Sequence, residues 1–107
     1  SDLAYSYEQA GLYKESVQTF LKILEYSQKE YPEFLFKSIM NVGYAYNAPN
    51  TFEGRKMANV YFIKALDYLN ENSQVDNNID NYLDMLIMVL CNCNLLNQDW
   101  IFPMPTR

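Results

Sequence analysis

The sequence lacks histidine altogether and has only three glycines and two cysteines in 107 residues. Histidine is the usual proton-transfer residue near neutral pH and the commonest metal ligand. The sequence also has no glycine-rich phosphate loop and no nucleophile-elbow pattern. We therefore expect that the chain is not an enzyme and that it uses no cofactor and no metal.

The two cysteines, Cys91 and Cys93, cannot complete a tetrahedral metal site without histidine or a second cysteine pair. Two positions apart in an apparent helix, their side chains point to different faces, which disfavours a mutual disulfide. We expect buried, reduced thiols, which are typical of a cytoplasmic protein.

Clusters of one charge and long apolar runs are missing too. The chain carries 8 basic and 13 acidic residues, a formal charge of −5, and the basic residues are scattered. Phosphate binding needs clustered Lys and Arg, so we expect no contact with nucleic acid. The longest apolar run, Met85 to Cys91, has seven residues, whereas crossing a bilayer takes roughly 20. We expect a soluble chain without a membrane partner, and no secretion leader is recognisable at its start.

What the chain has is apolar and aromatic residues, at 50% and 16% of the total, which predicts a folded domain. From Tyr13 to Lys29 the apolar residues follow the spacing of an amphipathic helix. Pro32 predicts a break and then a helix over about 33–47. After a second break, Asn50 or Thr51 can cap a helix to about residue 70, and Asn50 with Glu53 resembles a capping box.

The remaining third of the chain divides into three parts. Residues 72–78 are polar and predict a loop. An apolar helix is expected over residues 79–96, and an irregular tail over 97–107, where Pro103 and Pro105 preclude regular helix. Because no segment alternates with a period of two, we assign no strands. The predicted fold class is all-α, with about five helices.

Two stretches of the chain carry the same anchor residues in the same order. The first comprises Leu3-Ala4-x-x-Tyr7, Ser16-x-x-x-Phe20 and the pair Ile23-Leu24. The second comprises Val42-Gly43-x-x-Tyr46, Ala58-x-x-x-Phe62 and the pair Ala65-Leu66. This order resembles the tetratricopeptide (TPR) pattern of Leu-Gly-x-x-Tyr followed by Ala-x-x-x-Phe. The resemblance implies two TPR-like hairpins, at residues 1–31 and 32–71, stacked as a short solenoid.

The repeats are longer than the usual period of about 34 residues. Tyr7 and Tyr46 are 39 residues apart, and Phe20 and Phe62 are 42 apart. Such elongated repeats are similar to those of Gram-positive peptide-sensing regulators, the Rap phosphatases and the PlcR-like and Rgg-like transcription factors. The resemblance implies a peptide- or protein-binding domain, the sensing and oligomerising C-terminal part of a bacterial transcriptional regulator. The alternative is a structural TPR adaptor segment within a larger assembly.

The same resemblance implies where a peptide would bind, because the first helix of each hairpin lines the concave surface in this family. The candidate peptide-binding residues are Tyr5, Gln9, Lys37, Met40, Asn41 and Tyr44. An amide side chain offers a peptide backbone both a donor and an acceptor, and tyrosine adds a flat contact with a polar tip. Ordinary solvated surface is the alternative interpretation.

The last predicted helix has almost no polar face, although a terminal helix of a repeat array normally presents one to water. The candidate oligomerisation residues are Leu83, Leu86, Ile87 and Leu90. We expect a homodimer through this helix, because large exposed apolar patches usually mark interaction sites. The alternative cover is the tail, through Trp100, Ile101 and Phe102.

Overall fold

The computed structural model describes residues 2–72 and 78–101, with the backbone alone given for residue 78 and for 97–101. The chain is all-helical, and no strand occurs within these two ranges. A 3-10 turn, Pro32–Phe34, precedes the third helix. The five α-helices are α1 (Asp2–Gln9), α2 (Tyr13–Glu30), α3 (Leu35–Asn47), α4 (Phe52–Glu71) and α5 (Asn78–Ile101). The all-α prediction is confirmed.

The breaks between helices follow from local backbone chemistry. Gly11, at φ 78°, supplies the left-handed residue of the turn between α1 and α2. Pro32 lacks a backbone N–H and therefore fits the opening position of the 3-10 turn before α3. Thr51 is the N-cap of α4, and its hydroxyl accepts a 3.0 Å hydrogen bond from the Gly54 amide.

The predicted capping box of Asn50 and Glu53 is wrong. Asn50 precedes the cap and adopts φ 60°, in the left-handed region that asparagine tolerates better than most residues. Its side-chain oxygen accepts a hydrogen bond from the Arg55 guanidinium. Thr51, with extended backbone geometry, takes the capping role because its hydroxyl can then reach the amide three residues on.

The predicted boundaries of the closing helix are too narrow. Helix α5 begins at Asn78, which we placed in the loop, and continues to Ile101. The irregular tail is therefore wrong for residues 97–101, because the first proline able to stop the helix is Pro103. The rest of the predicted loop and tail, residues 73–77 and 102–107, lies outside the described residues, as does any cover from the side chains of Trp100 to Phe102.

The core forms where consecutive helices pack on one another: α1 on α2, α2 on α3, α3 on α4 and α4 on α5. Most of the repeated anchors are buried in these contacts, namely Ala4, Ser16, Phe20, Leu24, Val42, Gly43, Ala58, Phe62, Ala65 and Leu66. Tyr7 and Tyr46 are only partly buried. The Cα atoms extend 49 × 35 × 19 Å, and the shortest dimension equals about two helix diameters.

Polar contacts also join neighbouring helices. The Ser27 and Ser38 hydroxyls lie 2.8 Å apart in the buried contact between α2 and α3. Between α4 and α5, the Asn92 amide donates to the Asn59 side-chain oxygen at 3.0 Å. The Asn59 amide in turn donates to the Val89 carbonyl at 3.4 Å. These buried pairs satisfy groups that would otherwise destabilise the core.

Helix α5 is long and apolar. Its residues Ile79–Leu96 have a mean hydropathy of 1.2, and 11% of them are buried. By length and composition alone this segment could cross a membrane, although core helices and signal sequences meet the same two criteria. One such helix is weak evidence for a membrane span, and the expectation of no membrane partner stays a prediction.

Candidate functional site

A cleft opens between α1 and α3, with α2 as its floor. Its volume is about 310 Å³. The lining residues, which define the α1–α3 cleft, are Tyr5, Glu8, Phe20, Asn41, Tyr44, Ala45, Asn47 and Ala48. Pockets that hold small ligands occupy about 300–1,000 Å³, so this cleft is at the small end of that range. It is large enough for a side chain but too small for a whole peptide.

Three of the six predicted peptide-binding residues meet in this cleft: Tyr5 from α1, and Asn41 and Tyr44 from α3. Tyr5 lies 36 residues before Asn41 and 39 residues before Tyr44, so only the packing of the helices brings these side chains together.

The other three predicted residues do not line the cleft. Gln9 is exposed at the last position of α1. Lys37 is exposed, and Met40 is partly buried and packs against the core. Lys37 lies one helical turn before Asn41, and Met40 one turn before Tyr44.

The buried anchors Phe20 and Phe62 pack against the two tyrosine rings of the cleft. The Tyr5 ring meets the Phe20 ring edge-on, with centroids 5.6 Å apart. The Tyr44 ring meets the Phe62 ring in the same manner at 5.2 Å. Because Phe20 and Phe62 are buried, they fix the tyrosine rings while Tyr5 and Tyr44 remain 50% and 38% exposed. The cleft therefore presents two oriented aromatic rings to solvent.

Among the described residues that line the cleft, Glu8 is the only charged side chain. A second carboxylate lies near its wall. Burial raises the pKa of the Tyr44 hydroxyl above its ordinary value, and the negative charge of Asp84 on α5 raises this pKa further. No lysine or arginine occurs among the lining residues that the structure describes, so the charges near Tyr44 there are negative.

Asn47 contributes an unsatisfied acceptor. It lines the cleft at the end of α3, and its Oδ1 atom is buried without a hydrogen-bond partner. Buried polar atoms are nearly always paired in folded proteins, so an unpaired one marks a place where a donor could bind. The sequence analysis missed both Glu8 and Asn47. The available signal for Asn47 was its position three residues after Tyr44, on the same side of α3.

A second cleft lies on the other flank of α2, where the helix faces the turn between α3 and α4. Its volume is about 410 Å³. Its lining residues are Tyr13, Lys14, Val17, Gln18, Leu21, Tyr46, Pro49 and Gly54. Lys14 is the only charged group among its described lining residues, so the lining charges of the two clefts differ in sign. None of the predicted peptide-binding residues lines it.

The cysteines differ from expectation. Both Cys91 and Cys93 are exposed free thiols, so the predicted burial is wrong. The two cysteines point to different faces of α5, and Cys93 borders the packed side that Met85 and Asn92 occupy. The Cys93 sulfur is within 3.5 Å of the Asn59 amide. Within the described ranges, no cluster of three or more His, Cys, Asp and Glu side chains could hold a metal ion.

The predicted oligomerisation residues lie mostly on the surface. Leu83, Ile87 and Leu90 are about half exposed or more, and Leu86 is partly buried. We call these four residues the α5 stripe. They share one side of the helix, since their spacing is three or four residues.

Comparison of the chain with protein-family models, with curated proteins and with solved structures finds no match. The tetratricopeptide resemblance therefore stays a prediction from the anchor residues, and so does the narrower likeness to the peptide-sensing regulators.

Proposed function

We propose that the chain is a peptide- or protein-binding helical repeat domain, with the α1–α3 cleft as part of its binding groove. The observation that carries this proposal is the meeting of Tyr5, Asn41 and Tyr44 in one cleft. Each residue was selected from the sequence because a ligand-binding repeat would use it there. Tyrosine and asparagine are also the side chains that bind extended peptides well, through flat contact area and paired donor and acceptor groups.

The proposal includes a tetratricopeptide-like arrangement, with α1 and α2 as one hairpin and α3 and α4 as the next. Two features support it. Helices contact their sequence neighbours in order, as stacked repeats do. The small residues Ala4 and Gly43 are buried at equivalent positions of α1 and α3, where they allow a second helix to approach closely.

We further propose that this domain is the sensing and oligomerising part of a bacterial transcriptional regulator. The support is the elongated repeat, with equivalent tyrosines 39 residues apart. The sequence that precedes Ser1 in the gene tests this assignment. A helix-turn-helix there supports a regulator, whereas further repeats would favour a structural adaptor in a larger assembly.

The binding proposal is tested with a displayed library of random heptapeptides, followed by calorimetric titration of the selected sequences. We expect Asn41→Ala to weaken binding by about 0.5–1.5 kcal/mol, the usual net contribution of one hydrogen bond. The matched control is Asn70→Ala, which removes an exposed amide from α4, and Lys22→Ala tests the exposed side of α2. Equal losses from all three variants would place the ligand elsewhere, and a library without binders would refute the proposal.

Oligomerisation is supported by the exposure of the α5 stripe. One side of α5 packs on α4 through Met85 and Asn92, and the stripe lies on another side. The charged groups described on α5 are Asp80 and Asp84, both near its N-terminal end. We propose a contact between two α5 stripes about a two-fold axis.

Sedimentation equilibrium at tens of micromolar tests the dimer. We expect Leu90→Glu to shift the population to monomer, because a carboxylate would be buried without a partner. Leu3→Glu is the matched control, because Leu3 on α1 is 57% exposed and Leu90 is 59% exposed. A wild-type chain that sediments as a monomer would refute the contact.

A further inference from the structure

We infer that the α1–α3 cleft receives a cationic side chain of its peptide ligand, an arginine or a lysine, between Tyr5 and Tyr44. This inference rests on the proposed peptide-binding function and specifies the chemistry of the ligand. Four properties of the cleft lead to it: its charge, its aromatic rings, its unpaired acceptor and its size.

The charge of the cleft excludes an anionic ligand group. Glu8 lines the cleft, and Asp84 is close enough to act on the Tyr44 hydroxyl. Lys37, the basic residue of α3, lies one turn before Asn41 and does not line the cleft. Among the described lining residues an incoming carboxylate would meet the negative charge of Glu8 and no cation to pair with, whereas a cation would be attracted. The overall charge of −5 acts in the same direction at longer range.

The aromatic rings suit a cation as well. Tyr5 and Tyr44 are steeply inclined to the buried phenylalanine rings, with interplanar angles of 76° and 68°. Both tyrosine rings remain partly exposed, so part of each ring is open to a ligand. A guanidinium stacks on the face of an aromatic ring, and an ammonium binds it through the ring quadrupole.

The unpaired acceptor at Asn47 favours a ligand that brings a donor. The Asn47 Oδ1 atom is buried and has no partner, and leaving it so is costly in a folded protein. Arginine and lysine carry only donors, five and three N–H bonds respectively. A carboxylate has none to give. The Asn47 oxygen therefore favours a cationic side chain over a carboxylate, as the charge of Glu8 does.

The size of the cleft fits one side chain. A volume of about 310 Å³ accommodates a single long side chain with some water, and the peptide backbone must then run outside, past Asn41. The second cleft is larger, at about 410 Å³, and of its described lining residues only Lys14 is charged. No carboxylate in that part of the lining would select a cation.

The experiment uses five-residue peptides, acetylated and amidated at the two ends, with alanine at four positions and arginine, citrulline or glutamate at the centre. Citrulline keeps the shape of arginine without its charge. Binding is followed by NMR, through the shifts of the backbone amides at positions 5, 41, 44 and 47. We expect the arginine peptide to bind roughly threefold to tenfold more tightly than the citrulline peptide, and the glutamate peptide to bind most weakly.

Glu8→Gln should reduce the preference for arginine over citrulline to roughly twofold or less. Glu25→Gln, on the exposed surface of α2, makes the same change in net charge and should leave the preference intact. Added salt should weaken the arginine peptide only. Circular dichroism is used to check that both variants fold.

The outcomes separate this inference from the function on which it rests. If all three peptides shift the four amides with equal affinity, the cleft binds peptides without a cation preference, and the inference is overturned while the proposed function stands. Shifts by the arginine peptide that centre on Lys14 would also overturn it, because they would place the ligand in the second cleft. If no peptide shifts the four amides at millimolar concentration, both are refuted.

Discussion

Gly43 is buried where α3 crosses α4, and a side chain there must collide with Phe62. A Cβ atom built on Gly43 would lie 2.5 Å from Phe62 Cε1 and 2.6 Å from Cδ1, whereas carbon atoms pack at about 3.5–4.0 Å. The phenyl ring cannot easily retreat, because Phe62 is fully buried and its ring also packs against Tyr44. The collision therefore has to shift one of the two helices.

The expected free energy combines two opposing effects. Overpacking a core costs about 1–3 kcal/mol, and replacing glycine by alanine inside a helix gains about 0.8–1.0 kcal/mol. We expect Gly43→Ala to destabilise the fold by about 1 kcal/mol net, and Gly43→Leu by about 2 kcal/mol. The assay is urea unfolding followed by circular dichroism, in which the midpoint should fall without a change in slope.

A double-mutant cycle tests the physical cause. Phe62→Leu removes the ring atoms that meet the new methyl group. In the Phe62→Leu background, Gly43→Ala should leave the free energy of unfolding unchanged or raise it, because only the gain in helix propensity remains. If Gly43→Ala costs the same in both backgrounds, or stabilises the wild-type chain, the proposed collision with Phe62 is incorrect.

Two further perturbations probe the polar groups. Asn92→Leu should destabilise the fold by about 1–3 kcal/mol, because it leaves the buried Asn59 oxygen unpaired. In urea unfolding, the double variant Asn59→Leu with Asn92→Leu should lose less stability than the single variant. Additive losses would show that the two side chains are not coupled. The raised pKa of Tyr44 comes first from burial and then from Asp84, so its contribution to stability is complete below the ordinary tyrosine pKa of about 10 and is lost as pH rises through the folded value. In an absorbance titration, Asp84→Asn should lower this pKa only in part, and a complete return to the ordinary value would contradict burial as the main cause.

The helices and their breaks were largely readable from the sequence. The apolar spacing from Tyr13 to Lys29 identified α2, and Pro32 and the segment before Thr51 marked the next two starts, since helix periodicity and proline geometry are local properties. The errors were local as well. Both Asn50 and Thr51 are good caps, and only the backbone conformation at each residue decided between them.

The end of α5 shows another limit of local signals. The chain from 97 to 101 contains no glycine or proline, so nothing within it stops a helix that is already formed. The predicted end at residue 96 is too early, because that prediction extends the effect of Pro103 and Pro105 to the residues before them. Proline ends a helix at or shortly before its own position, and its effect does not reach back six residues.

The sequence by itself determined that the chain is helical, where most helices begin, and which side chains are short enough for helices to cross. Only the tertiary structure decided that Tyr5 joins Asn41 and Tyr44 in one cleft while Lys37 stays outside it. It also revealed the unpaired Asn47 oxygen and the bridge from Asn59 to Asn92. Periodicity reports which face of one helix is apolar, but the partner that this face meets depends on crossing angles and on packing between distant parts of the chain.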